Sequence, residues 1–323
     1  MNRALTIGKL RGLRECSDVH GIFSMLALDH RKNLRKVLRP EAPGGVPDSE
    51  LTAFKEQAVS ALAGAATAVL LDPELGAAQC IASGAMPGDR GLVVALERTG
   101  YAGEAHARES RILDGWGVPQ VRRMGASAAK LLVYYHPEAS TAEKIERLVG
   151  GVAEECARED LPLLLEPLVY NPEPGSGPLS AANRRRAIVE TVRRLAGPGV
   201  DVLKAEFPAS TGADADEAEW RDACEELSTA CPVPWILLSA AVDFDTFMRQ
   251  TGIACDAGAS GVAVGRAVWS EAPRLAGEER ASFLRTEARR RMAAATALCV
   301  ERARPWPAIY ASPEVDPQWF SSY

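Results

Sequence analysis

Short apolar runs alternate along this chain with longer amphipathic, alanine-rich segments. Eight of the runs have strand length: residues 21–28, 66–71, 91–96, 129–135, 161–169, 200–207, 235–240 and 261–264. Most of the stretches between them are long enough for a helix, and the strongest helical patterns cover 51–65, 142–158, 180–195 and 215–230. Eight such units predict an α/β fold of the (β/α)8, or TIM, barrel type. An open doubly wound sheet has a similar periodicity and is the competing architecture. The polar stretch 100–117 reads as a long loop or insertion, and the Pro/Gly-rich segments 40–47 and 172–178 as surface loops. The expected organisation is one barrel domain over 1–305 and an aromatic, proline-rich tail over 306–323. The tail is expected to pack on the barrel or a subunit interface. A loose terminus, or a terminal tyrosine reaching the active site, are the alternatives.

What interrupts the apolar runs is more informative than the runs themselves. Polar residues gather at or just beyond their C-terminal halves: Asp29, His30 and Arg31 after the first, Lys130 within the fourth, Glu166 within the fifth, Lys204 within the sixth and Ser239 at the seventh. In a barrel this end carries the active site. A lysine inside a buried strand is costly unless it is paired or used. Lys204, in VDVLKAEFP, is therefore the leading candidate for a nucleophilic amine that attacks a carbonyl. A strand there points Lys204 and Glu206 to one face, so a structural salt bridge between them is the bland reading. Lys130 near Lys204 would disfavour protonation of the nucleophile, and Glu166 and Asp29 can shuttle protons. Alternatively, Glu166 caps a helix or holds a loop, and Asp29 caps the helix that follows it.

A second signal lies in GASGVAVGRAVWS. Gly265 lets a backbone amide approach an anion, and Arg266 can grip a phosphate through paired hydrogen bonds. Ser239 with the amides of Ala240 and Ala241 would form the opposite wall. Tight barrel packing would also account for these glycines.

Composition narrows the range of functions. The 323 residues carry 37 Lys and Arg against 43 Asp and Glu, a formal charge of -6, which argues against nucleic acid or an acidic membrane surface as partner. The seven cysteines are dispersed, without a CxxC pair, as suits free thiols in a reducing compartment. The start of the chain lacks the apolar core of a signal peptide and no run is long enough to cross a bilayer, so a cytoplasmic location is expected. The four histidines do not have zinc-site spacing, and there is no Walker or GxGxxG sequence. Neither a metal nor a cofactor is expected.

The blocks FSMLALDHR, AVLLDPELG, AAKLLVYYHP, LPLLLEPLVY, VDVLKAEFP, PWILLSAAV and GASGVAVGRAVWS together resemble the class I tagatose 1,6-bisphosphate aldolase family and its relative, sulfofructose-phosphate aldolase. The likeness runs over nearly the whole chain. It implies a (β/α)8 barrel, commonly oligomeric, in which Lys204 forms a Schiff base, Glu166 shuttles protons with Lys130 beside it, and Asp29 contributes to the pocket. Ser239 and Arg266 would bind substrate, Arg266 on the phosphate side, with His30 and Arg31 near the distal group. The implied reaction cleaves a phosphorylated ketose to dihydroxyacetone phosphate and an aldehyde. EPLV, PWILLS and GRAVWS are closer to the sulfosugar branch, which makes 6-deoxy-6-sulfofructose 1-phosphate the first expectation and tagatose or fructose 1,6-bisphosphate the alternative. A metabolite-sensing barrel without catalysis is the non-enzymatic alternative. The chain departs from the family with His30 for the usual Gln, Ala241 for the usual Gly, and its C-terminal tail.

Overall fold

All eight apolar runs form parallel strands in the computed structural model, which describes residues 3–210, 216–240 and 242–323. A short strand β1 (Arg3–Ala4) precedes them. They are β2 (Phe23–Ala27), β3 (Ala68–Leu71), β4 (Gly91–Ala95), β5 (Ala128–Tyr135), β6 (Leu163–Val169), β7 (Val202–Ala205), β8 (Trp235–Leu238) and β9 (Gly261–Val264). Each pairs with its neighbour in sequence, and β9 returns to pair with β2, closing a TIM barrel rather than an open sheet. Apart from β5, which begins one residue before its run, the observed strands are up to two residues shorter at an end than the apolar runs, because apolar burial extends beyond the ladder.

Helices fill the crossovers. The segment Ala142–Arg158 buries Ala142, Ile145, Val149, Val152, Ala153 and Cys156, a three-and-four spacing that lays one stripe against the sheet. Each fully buried aliphatic side chain there is worth about 1.5–3 kcal/mol. Ser180 caps the helix Ala181–Leu195 by accepting from the Asn183 amide, and Asp216 caps Glu217–Ala230 in the same way. Residue 215, the expected start of the latter helix, lies outside the described residues. The polar stretch after β4 is an extended loop carrying two isolated antiparallel bridges, Glu97 to Ile112 and Ala102 to Glu109.

Strand parity divides the barrel. Outward residues such as Leu131, Leu165, Leu203 and Leu237 pack under the helices. Inward residues Phe23, Met25, Leu70, Val93, Ala128, Leu164, Val202 and Ile236 fill the lower half of the interior. Gly261 has φ +133° and a side chain there would lie 1.8 Å from the Phe23 carbonyl oxygen, so the β2–β9 closure needs a glycine at this point.

The tail seals the N-terminal end of the barrel. Strand β10 (Tyr310–Ala311) pairs with β1, and Trp306 and Tyr310 join the interior apolar cluster. Tyr310 donates its hydroxyl to the Asp201 carbonyl at 2.8 Å. The Tyr323 hydroxyl hydrogen-bonds the Asp160 carboxylate, just before β6 and thus at the end away from the strand C-termini. The terminal tyrosine does not approach the mouth where Lys204 lies.

Candidate active site

The alternation that buries Ala128, Leu164 and Val202 inside the barrel places the residues two positions later on the same face. Those residues are Lys130, Glu166 and Lys204. Where the lower interior is apolar, the next layer up is charged. Lys130 is fully buried, with its ammonium 2.7 Å from Asp29 Oδ2, 2.6 Å from Glu97 Oε1 and 3.0 Å from Glu166 Oε2. Glu166 Oε1 in turn lies 2.9 Å from Lys204 Nζ. Asp29 does not cap the helix Lys32–Leu38, since Arg31 stands at the cap position without a side-chain cap bond. Glu206 does not pair with Lys204 either. Its carboxylate takes Arg184 at 2.8 Å and the Val169 amide at 2.7 Å.

The charges support one another. Burial opposes ionisation of Asp29, but Lys130, Lys204 and His30 outweigh it and hold the carboxyl well below its ordinary range. Burial likewise opposes the charge on Glu166, yet Lys130 and Lys204 draw that carboxyl down. Lys130 is desolvated too, but Asp29, Glu166 and Glu97 raise it well above a normal lysine. Lys130 is thus a fixed cation, whereas Glu166 spans both lysines and can pass a proton to or from Lys204. Among the described residues its Oε2 has no directed hydrogen bond despite the nearby ammonium, leaving a lone pair for a reacting group.

Above this layer opens a cavity of about 600 Å³ that reaches Asp29, Glu166, Lys204, Ser239 and Arg266. His30 faces it, edge-on to Trp269 at 5.4 Å, with Nδ1 3.9 Å from Asp29 Oδ1. Burial lowers this imidazole to about 4 despite Asp29, so it is neutral near pH 7. Ser239, Ala240, Gly265 and Arg266 form the β8–β9 side. A Cβ on Gly265 would sit 3.0 Å from the Ala27 carbonyl oxygen and 3.1 Å from the His30 ring, so the strand end passes close to both. Ala240 adopts φ +42°, an uncommon backbone for a residue with a side chain. Ala241 lies outside the described residues. Arg266 is half-buried and, among the described residues, has no carboxylate within ion-pair distance. Arg31 also borders the cavity, but its guanidinium binds Glu74 and the Glu97 carbonyl oxygen.

Glu97 is the site residue that sequence reasoning passed over. It follows β4 by two positions and continues the inward parity of Val93 and Ala95, the one signal that could have singled it out. Among the described residues no group of three or more His, Cys, Asp or Glu side chains is arranged to hold a metal ion, and no helix is long and apolar enough to cross a membrane.

A lysine pair bridged by a carboxylate at the C-terminal mouth of a barrel can build and break an imine. Residues 23–271 match the sequence profile of the DeoC/LacD family aldolases. The chain belongs to that family. This class I aldolase is 31% identical to a tagatose 1,6-diphosphate aldolase of Lactococcus lactis subsp. lactis, with 94% of this chain and 98% of the relative covered. It is 30% identical to one of Listeria monocytogenes serotype 4a, over 95% and 96%. Among solved structures, the fructose-bisphosphate aldolase of Plasmodium falciparum superposes with a TM-score of 0.67 at 13% identity, covering 94% of this aldolase and 98% of that chain. At that identity the likeness speaks for the fold alone.

Proposed function

We propose that this aldolase cleaves a ketose 1,6-bisphosphate of tagatose or fructose configuration to dihydroxyacetone phosphate and glyceraldehyde 3-phosphate, with Lys204 as the Schiff-base lysine. The observation that carries the reading is the Lys204–Glu166–Lys130 ion-pair chain at the floor of the mouth, with an uncommitted Arg266 on one wall. The tagatose 1,6-diphosphate aldolases named above support the substrate class, because they align along almost their full length.

The geometry gives each group a task. A proton passes from the Lys204 ammonium to the Glu166 carboxylate, leaving a neutral amine and a carboxylic acid side by side. The amine attacks the substrate C2 carbonyl carbon, and a proton from the newly bonded nitrogen moves to the carbonyl oxygen, which becomes a hydroxyl while Glu166 stays protonated. Glu166 then protonates that hydroxyl, which departs as water and leaves the iminium. The iminium withdraws the electron pair of the C3–C4 bond while a carboxylate, Glu166 or Asp29, takes the C4 hydroxyl proton. The aldehyde leaves. The remaining enamine is protonated at C3 and hydrolysed, returning Lys204. Lys130 stays charged throughout and holds Asp29 and Glu166 in place. Arg266, with Ser239 and the backbone at Ala240 and Gly265, takes the C1 phosphate.

Replacing the C6 phosphate with a sulfonate keeps the same chemistry, and the three segments that resemble the sulfosugar branch favour it as the second reading. Both head groups present three oxygens to the same rim. The two readings separate when the protein is incubated with tagatose 1,6-bisphosphate, fructose 1,6-bisphosphate and 6-deoxy-6-sulfofructose 1-phosphate in turn. Release of dihydroxyacetone phosphate is followed, and borohydride-trapped protein is mapped by mass spectrometry. Turnover of a bisphosphate with an adduct on Lys204 is expected, and Lys204→Met should abolish the adduct while the circular dichroism spectrum is unchanged. Turnover of the sulfonate alone would replace the substrate assignment. An adduct on any other residue would overturn the mechanism.

A further inference from the structure

Arg31 is the residue whose surroundings fit its expected role least. It borders the cavity and carries the right charge for an anion, yet it is only 6% exposed. Both ends of its guanidinium fork are occupied. Nη1 pairs with the Glu74 carboxylate in the turn after β3. Nη2 donates to the Glu97 carbonyl oxygen at 3.0 Å and lies 3.9 Å from Glu97 Oε1. The third nitrogen, Nε, is buried and, among the described residues, has no partner, so it does not reach the solvent of the mouth. A phosphate would have to displace a carboxylate from a buried fork, whereas Arg266 offers one without displacing anything.

The contacts of Arg31 lead inward instead. Glu97 uses Oε1 to hold Lys130 at 2.6 Å and Oε2 to accept from the Leu132 amide at 3.0 Å. Lys130 meets Glu166, and Glu166 meets Lys204. The outward anchor is also braced. Asp72, at the end of β3, is wholly buried, paired with the buried Lys55 and accepting from the Leu75 amide at 2.8 Å, which fixes the turn that presents Glu74. Gln79 donates to the Glu74 carbonyl oxygen at 2.9 Å. The guanidinium therefore ties together the ends of β2, β3 and β4, and an alternating line of charge runs from it to the Schiff-base lysine.

We infer that Arg31 is a positioning residue: it fixes Glu97, and through Glu97 and Lys130 it sets Glu166 within reach of Lys204, without binding the substrate phosphate. This rests on the Schiff-base reading of Lys204. Loss of the tie lets Glu97 and Lys130 shift, and a displacement near 1 Å at the shuttle is worth about 100-fold in rate.

The experiment compares two ketones that differ only in the phosphate. The second-order rate constant for borohydride-trapped imine is measured with dihydroxyacetone phosphate and with dihydroxyacetone, in wild type, Arg31→Gln and Arg31→Lys, on protein whose circular dichroism and melting are recorded. Arg31→Gln should lose about 100-fold with both ketones, and Arg31→Lys, which can satisfy one carboxylate at a time, should recover part of the loss. Glu74→Gln removes only the partly exposed outer partner, so it should fold in any case and show a smaller loss, again equal for the two ketones. A loss confined to the phosphorylated ketone would make Arg31 a phosphate ligand and overturn the assignment, as would wild-type rates in both Arg31→Gln and Glu74→Gln. Wild-type protein that traps neither ketone would sink the Schiff-base reading first, and is told apart from those outcomes by the wild-type lane alone.

Discussion

Replacing Lys130 with methionine tests the electrostatic construction of the site directly. The two side chains are similar in length and apolar stem, so the substitution leaves little void, and its main effect is to remove one buried cation. That cation stands 2.6, 2.7 and 3.0 Å from three carboxylates. Removing one partner of a buried ion pair costs about 3–5 kcal/mol, because the other charge stays buried and uncompensated. For a chain of 323 residues the expected drop in Tm is about 4–7 °C. The pH dependence follows from the directions of the shifts. Lys130, raised well above its ordinary value, contributes stability that is complete below about pH 10 and is lost only as pH rises through its folded value. Asp29 and Glu166, held low, contribute stability that is present above about pH 4 and is lost as pH falls through their folded values. Between pH 5 and 8 the wild type keeps both contributions. In Lys130→Met burial acts on the carboxyls without the ammonium to oppose it, so they rise and are relieved by taking up protons. The gap in Tm between wild type and variant should therefore be wider at pH 8 than at pH 5, as read by differential scanning fluorimetry across buffers. Equal melting of the two proteins, or a gap that widens towards acid, would refute the buried three-carboxylate arrangement.

Two further substitutions separate binding from chemistry. Glu166→Gln keeps the shape of the shuttle but cannot carry a proton, so kcat should fall by roughly 10²- to 10⁴-fold while a ketose bisphosphate still protects the protein against thermal unfolding; normal turnover would remove Glu166 from the proton path. Arg266→Ala should raise KM for a phosphorylated substrate roughly 10- to 100-fold, the loss of charge-assisted hydrogen bonds, yet leave imine trapping with unphosphorylated dihydroxyacetone near wild type. An equal effect on both ketones would mean that Arg266 serves the charged floor and not the phosphate.

The linear chain determined the architecture and which charged groups are buried at the mouth of the barrel. Local apolar period decides which stretches are strands and which face of each strand is inward, so a lysine at Lys204 or Lys130, in phase with the inward apolar positions, could be read as buried and in need of a use before any coordinate was known. Tertiary structure decided who partners whom. Lys204 has Glu206 two residues away and in phase, but the strand ends first and Arg184 draws Glu206 aside, so the lysine meets Glu166 from the neighbouring strand. Glu97 looks like any glutamate opening a loop until the closed barrel brings β4 beside β5 and sets it on Lys130. Arg31 reads as an unpaired cation until Glu74, 43 positions along the chain, is found in its fork. The buried Lys55–Asp72 pair joins a helix to a strand end and has no local pattern to announce it. Periodicity is a property of a few consecutive residues and survives in the sequence. The partner of a buried charge is chosen by strand register and barrel closure, which exist only once distant segments have met.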